Sequence, residues 1–210
     1  MAKKIAIVSQ KGGVGKSTTA RLIAREFALA NWKVKIADFD TKQGTCVKWK
    51  LRREQSSIEP EVPVETFRTV GQALKIEEHY DLLLLDGQPH SSSLTLEMAL
   101  ASDTILLPTG LSRDDLEPTI LLAHELVDKQ IDPKKIVILL CRVGDSEIEI
   151  MEARDYIKKA GYKALDHELP EKTGYRRASD SGKTLSEASN PYLKTKAEKF
   201  AQGIIDFVST

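Results

Sequence analysis

The chain has 210 residues, 41% of them hydrophobic and 30% charged, with 31 Lys and Arg against 31 Asp and Glu. That length suits one well-buried domain, and the composition is that of an ordinary soluble globular protein. A formal net charge of zero gives no global field toward nucleic acid or anionic lipid, so any such binding must come from a local patch.

In chain order, Met1-Ala2-Lys3-Lys4 places two lysines before an apolar run that stops at Ser9. The run is too short for a signal peptide, and no small-residue cleavage site follows. Residues 5–8 read instead as a buried strand. Further short apolar runs at 34–37, 82–85, 104–107 and 136–140 read the same way, because continuous hydrophobicity fits a parallel sheet covered on both faces. Residues 62–67 make a weaker strand, since Pro63 suits only an edge or a strand start. Between the strands lie amphipathic stretches at 16–30, 94–102, 116–129 and 148–159, the last ended by Gly161. This alternation predicts an α/β fold: a doubly wound, mostly parallel sheet with helices on both faces, in a single domain over residues 1–210. No stretch approaches a membrane span. Cys46 and Cys141 have no paired spacing and no histidine motif, which argues against a disulfide framework or a zinc site and suits a cytoplasmic location.

The first strand runs into Lys11-Gly12-Gly13-Val14-Gly15-Lys16-Ser17-Thr18, and a helix opens on it, which is the context of a phosphate-binding loop. Glycines let backbone N–H groups approach phosphate oxygens, and the helix N-terminus adds a favourable dipole. Lys16 is expected to reach the β- and γ-phosphates and Ser17 to ligate Mg²⁺. The ordinary loop motif would begin with glycine at position 10, where this chain has Gln10, and a second lysine stands at Lys11. A lysine there is costly unless its charge meets an anion. Lys16 already serves the local phosphates, so Lys11 is expected to act on a nucleotide held by another subunit.

Three further groups stand out. Ile36-Ala37-Asp38-Phe39-Asp40 ends the second strand with two carboxylates, where ligands of α/β sheets bind. Leu82-Leu83-Leu84-Leu85-Asp86 is an apolar strand capped by a carboxylate suited to a Mg²⁺-bound water or the Ser17 hydroxyl. Between Lys172 and Lys199 the balance is basic: Lys172, Arg176, Arg177, Lys183, Lys194, Lys196 and Lys199 oppose Asp180, Glu187 and Glu198. Residues 192–208 form an amphipathic helix whose stripe reads as core packing rather than a membrane anchor.

The loop from Lys11 to Ser17 resembles the deviant Walker A motif of the ParA/MinD ATPases, and the likeness extends through the strand-end aspartates to Tyr175-Arg176-Arg177-Ala178 and Gly182-Lys183-Thr184-Leu185. The resemblance implies an ATP-sandwich homodimer in which Lys11 crosses to the partner's nucleotide. It further implies Asp40 beside the attacking water, Asp38 on Mg²⁺ through water or organising the loop, and Arg142 and Pro170 near the base. Segment 106–116 would face the dimer partner. Thr41-Lys42-Gln43-Gly44 departs from the family's usual continuation after the second aspartate, which leaves that loop's geometry open. Small plasmid-type ParA proteins imply non-specific DNA binding through Arg176, Arg177, Lys183, Lys194, Lys196 and Lys199. They also imply a centromere-binding or cargo-adaptor protein that stimulates hydrolysis, with the ATP form on the nucleoid. Operator binding through an N-terminal helix-turn-helix is not expected at this length. The alternatives are a conjugation or organelle-positioning adaptor and a MinD-like membrane ATPase. A metal-cluster carrier would need an interfacial cysteine pair that Cys46 and Cys141 do not form by spacing.

Overall fold

A computed structural model describes residues 1–89 and 92–209. The elements alternate: β1 (Lys3–Ile7), α1 (Lys16–Leu29), β2 (Val34–Asp38), α2 (Thr45–Gln55), β3 (Val64–Thr66), α3 (Val70–Leu74), β4 (Leu82–Asp86) and α4 (Ser92–Leu100). They continue as β5 (Thr104–Thr109), α5 (Arg113–Asp128), β6 (Ile136–Val143), α6 (Glu147–Lys159), β7 (Lys163–Ala164), β8 (Leu169–Pro170), α7 (Thr173–Asp180) and α8 (Pro191–Ser209). The sheet order is β3-β2-β4-β1-β5-β6-β7, with β8 also pairing β6. Every pairing among the described residues is parallel.

Two cores explain why the strands are apolar throughout. Ile5, Ile7, Ile36, Leu82 and Leu84 face one side, against α1, α2, α7 and α8. Ala6, Val8, Ala37, Leu83 and Leu85 face the other, against α3, α4, α5 and α6. Alternation by two thus sends adjacent residues into different cores, and both sets must be hydrophobic. The weak strand is at the sheet edge as β3, directly after Pro63, whose carbonyl accepts from the Ile36 N–H at 3.0 Å. Gly161 follows α6 with φ +88, the left-handed turn-off that only glycine takes freely.

The strand order decides where chemistry can occur. β4 lies between β1 and β2, and its last residue, Asp86, is paired with both Ile7 and Asp38. The phosphate loop leaves β1, and the carboxylates leave β2 and β4, so all three groups meet at the carboxyl ends of neighbouring strands.

Candidate nucleotide site

The loop between β1 and α1 is shaped by glycine. Gly13 (φ 75) and Gly15 (φ 105) adopt left-handed backbone, the kind of turn in which successive N–H groups form an anion nest. A Cβ on Gly15 would press on Cys141 Cβ at 3.4 Å. Gly15 is also the N-cap of α1 and offers no side-chain hydrogen bond, so the helix's first N–H groups are left for an anion. Lys16 is buried, and its ammonium donates to the Lys11 carbonyl at 2.7 Å, spanning the loop. Burial lowers its pKa, while Asp86 and Asp40 work the other way.

Beneath this loop the two strand-end aspartates are buried side by side. Asp38 accepts from the N–H groups of Asp40 at 3.0 Å and Cys46 at 3.1 Å, yet burial still raises its pKa. Burial pushes Asp86 up to about 6, partly opposed by the neighbouring Ser17 hydroxyl. Asp86 Oδ1 is buried and has no hydrogen-bond partner among the described residues. An unpartnered carboxylate oxygen beside the loop hydroxyl is a donor set that magnesium accepts. The residues therefore fit the ion: the Ser17 hydroxyl is a group that could ligate it, and the Asp86 and Asp38 carboxylates are groups that could hold its coordinated water.

Asp40 is half-buried and lines the cavity above the loop, one oxygen accepting from the Gln43 N–H at 3.0 Å. Lys11 turns away from its own loop. Its ammonium meets Asp115 Oδ1 of α5 at 2.7 Å, and Asp115 Oδ2 accepts from the Ser112 hydroxyl at 2.8 Å. Burial works against the ionised Asp115, but these two hydrogen bonds hold its carboxyl below the usual range.

A cavity of about 450 Å³ extends from Gly12, Gly13, Gly15, Lys16, Ser17 and Thr18 to the β8–α7 segment, a volume suited to a small organic ligand. The register shifts between Cys141 and Val143 where β6 meets β8, and Arg142 sits there with φ 57. Its guanidinium donates to the Gly13 carbonyl at 2.9 Å and to Glu171 at 2.5 Å. Arg142 thus ties the phosphate loop to the opposite wall, where Pro170, Tyr175 and Arg176 lie. Val14 is buried and does not line the cavity.

The family profile described as "CobQ/CobB/MinD/ParA nucleotide binding domain" matches residues 5–185. The chain belongs to the ParA/MinD family. It is 28% identical over 204 residues to "Maintenance of carboxysome distribution protein A" of Gloeobacter kilaueensis, covering 92% of each chain. It is 26% identical over 218 residues to "Chromosome-partitioning ATPase Soj" of Thermus thermophilus, covering 88% of each. Among solved structures it superposes on the Pyrococcus furiosus cell division ATPase MinD with a TM-score of 0.77 at 18% identity, over 98% of this chain and 99% of that one. The Pyrococcus horikoshii septum site-determining protein MinD, solved with Mg-ADP, gives 0.76 at 18% identity, over 97% and 96%. At that identity the superpositions speak for the fold.

Several features of this ParA/MinD chain were not legible as site residues. Arg21, one turn along α1 from Ser17, lines the cavity, donates to the Ser17 carbonyl at 2.9 Å and the Thr18 hydroxyl at 3.2 Å, and lies over Trp49. Only its spacing of four from Ser17 hinted at this. The basic residues of the C-terminal third are not one unopposed patch. Arg176 lines the cavity and faces Glu171 at 3.8 Å, Lys194 faces Glu198 at 3.8 Å, and Lys196 pairs with Glu168 at 3.0 Å. Arg177, Lys183 and Lys199 have no ion pair among the described residues, and Arg177 and Lys199 are exposed. The apolar stripe of α8 is in the core: Leu193, Ala197, Phe200, Ala201, Ile204 and Val208 are buried. No helix among the described residues is long and apolar enough to cross a membrane.

Proposed function

We propose that this chain is a single-domain ATP hydrolase that works as a dimerising switch for partitioning DNA or positioning a protein cargo. The observation that carries the reading is the division of labour between two lysines. Lys16 spans its own phosphate loop, while Lys11 projects onto Asp115 of α5, where a second subunit's nucleotide can claim it. Asp40, at the cavity wall and fixed by the Gln43 N–H, is suited to orient a water toward the terminal phosphate. Magnesium held at Ser17 and Asp86 neutralises charge on the phosphates when bound. The base end of the site is assigned to Arg142 and Pro170. Arg177, Lys183 and Lys199 are the cations best placed to meet DNA phosphates, because none of them forms an ion pair among the described residues.

In this reading ATP dimers bind DNA non-specifically on the nucleoid, and a centromere-binding or cargo-adaptor partner triggers hydrolysis and release. The relatives named for chromosome partitioning and for carboxysome distribution support a positioning role and leave the cargo to the partner. The buried stripe of α8 favours a cytoplasmic protein over a membrane-bound one. The test is co-sedimentation with DNA in ATP, a slowly hydrolysed ATP analogue and ADP over a range of salt. Retention only with triphosphate, falling steeply as salt rises, is the expected result. Binding that ignores the nucleotide would remove the switch from the proposal.

A further inference from the structure

Cys46 is not part of the reading above, yet it is at the centre of the acidic floor. It is fully buried on the first turn of α2. Its thiol donates to Asp86 Oδ2 at 3.2 Å, and its N–H donates to Asp38 Oδ2 at 3.1 Å. One ligand atom each from Asp38, Cys46 and Asp86 lies within 4.8 Å of the others. The other oxygen of Asp86, on the same carboxylate, is buried and has no hydrogen-bond partner among the described residues. A buried oxygen without a donor calls for a ligand, and a sulfur beside it changes which ligand suits.

We propose that Asp38, Cys46 and Asp86 form a binding site for thiophilic divalent cations of the zinc and cadmium class. Around a tetrahedral zinc, a thiolate sulfur and a carboxylate oxygen stand about 3.6 Å apart, close to the 3.2 Å between Cys46 Sγ and Asp86 Oδ2. Three protein ligands leave a fourth position for water. The N–H groups of Asp40 and Cys46 already orient the Asp38 carboxylate, as outer hydrogen bonds do in metal sites. Binding forms the metal–sulfur bond and releases the thiol proton to solvent. Asp40, Thr45 and Gly87, close to the three ligands in sequence, line the nucleotide cavity, which is the side from which the ion would enter. The cysteine spacing concealed this site because its partners come from β2 and β4.

The site stands without the magnesium assignment; its antagonism with magnesium rests on that assignment, since both ions would use Asp38 and Asp86. The test is a cadmium titration of nucleotide-free, magnesium-free protein, followed by the ultraviolet thiolate-to-cadmium charge-transfer band. The expected result is a band that saturates at one cadmium per chain, is retained in Cys141→Ser and is lost in Cys46→Ser. Circular dichroism establishes that both variants are folded. Absence of the band in the wild type, or its persistence in Cys46→Ser, overturns the proposal. Addition of Mg²⁺ and ATP should then discharge the cadmium. A band at Cys46 that survives saturating Mg²⁺ and ATP supports the thiophilic site and removes Asp38 and Asp86 from the magnesium assignment.

Discussion

Lys11 and Asp115 meet at 2.7 Å across the gap between the phosphate loop and α5. Their side chains are 37% and 28% exposed, so the pair is a modest one, worth about 0.2–1 kcal/mol. It nevertheless holds in place the lysine proposed to reach another subunit's nucleotide. Before that can happen, Lys11 must exchange the carboxylate for a phosphate. Asp115→Asn should therefore favour the dimer, lowering the ATP analogue concentration needed for half-dimerisation about 1.5- to 5-fold. Lys11→Ala should abolish dimerisation altogether. Sedimentation velocity across an ATP-analogue titration reads both. A weaker dimer in Asp115→Asn would instead place Asp115 in the subunit contact itself.

Binding and hydrolysis should separate at Lys16 and Asp40. Lys16 loses only a neutral carbonyl when a phosphate takes its ammonium. Lys16→Ala should weaken nucleotide binding by about 1.5–3 kcal/mol, a factor of ~10–150. Among the described residues the Asp40 carboxylate makes one hydrogen bond to the loop backbone, from the Gln43 N–H. Asp40→Ala should keep nucleotide affinity while lowering partner-stimulated turnover by about a hundredfold or more. Fluorescent-nucleotide binding and phosphate release, measured on the same preparations, make the comparison. Normal turnover in Asp40→Ala would move the water-positioning role elsewhere.

The sheet was legible because parallel strands buried on both faces have to be apolar at every position, as Leu82 to Leu85 are. The loop was legible because its glycines and Lys16-Ser17 are local in sequence. What escaped was held by distant contacts. In α2 only Cys46, Trp49 and Arg53 are buried, and its N-cap Gly44 makes no side-chain hydrogen bond, so neither a stripe nor a start signal announced it. Trp49 and Arg53 are fixed by Lys183 and Glu187, more than a hundred residues away. β7 and β8 are two residues each, too short for any periodicity. Asp115 stood inside a segment expected to face a partner, but its bond to Lys11 needed the β1–β5 adjacency to bring them together.

The raised pKa of Asp86 sets a direction for stability against pH. Its value moves from 3.8 to about 6 on folding, with burial the main cause. A raised carboxyl favours the folded state fully below pH 3.8, and that contribution is lost as pH rises through about 6. The loss is about 3 kcal/mol. Asp86→Asn carries no such charge, so the nucleotide-free variant should be more stable than wild type above pH 6 by up to about that amount. The advantage should shrink as pH falls toward 4. Urea unfolding of both proteins at several pH values measures it. A difference that does not change with pH would mean that Asp86 ionises like an exposed carboxyl.

Arg53 is 2% exposed, and it ties α2 to the segment after α7. Its guanidinium forks onto Glu187 at 2.8 and 3.1 Å and also donates to the carbonyls of Glu59, Pro60 and Gly182. Burial works against the ionised Glu187, but hydrogen bonds from Arg53 and Thr184 hold its pKa below the usual value. The pair's contribution is therefore present above the ordinary glutamate range and is lost as pH falls. Arg53→Ala leaves the largely buried Glu187 carboxylate with Arg25 at 3.8 Å and the two Thr184 donors, and should cost up to about 3–5 kcal/mol at neutral pH. Arg53→Met with Glu187→Leu should cost less than the two single changes together, because neither buried charge is left without its bidentate partner. Leu185, in the same segment, lines the nucleotide cavity, so the single variants should also bind nucleotide more weakly. Denaturant unfolding and nucleotide binding on the double-mutant cycle separate these effects. Additive losses would show that the two side chains stabilise the fold independently.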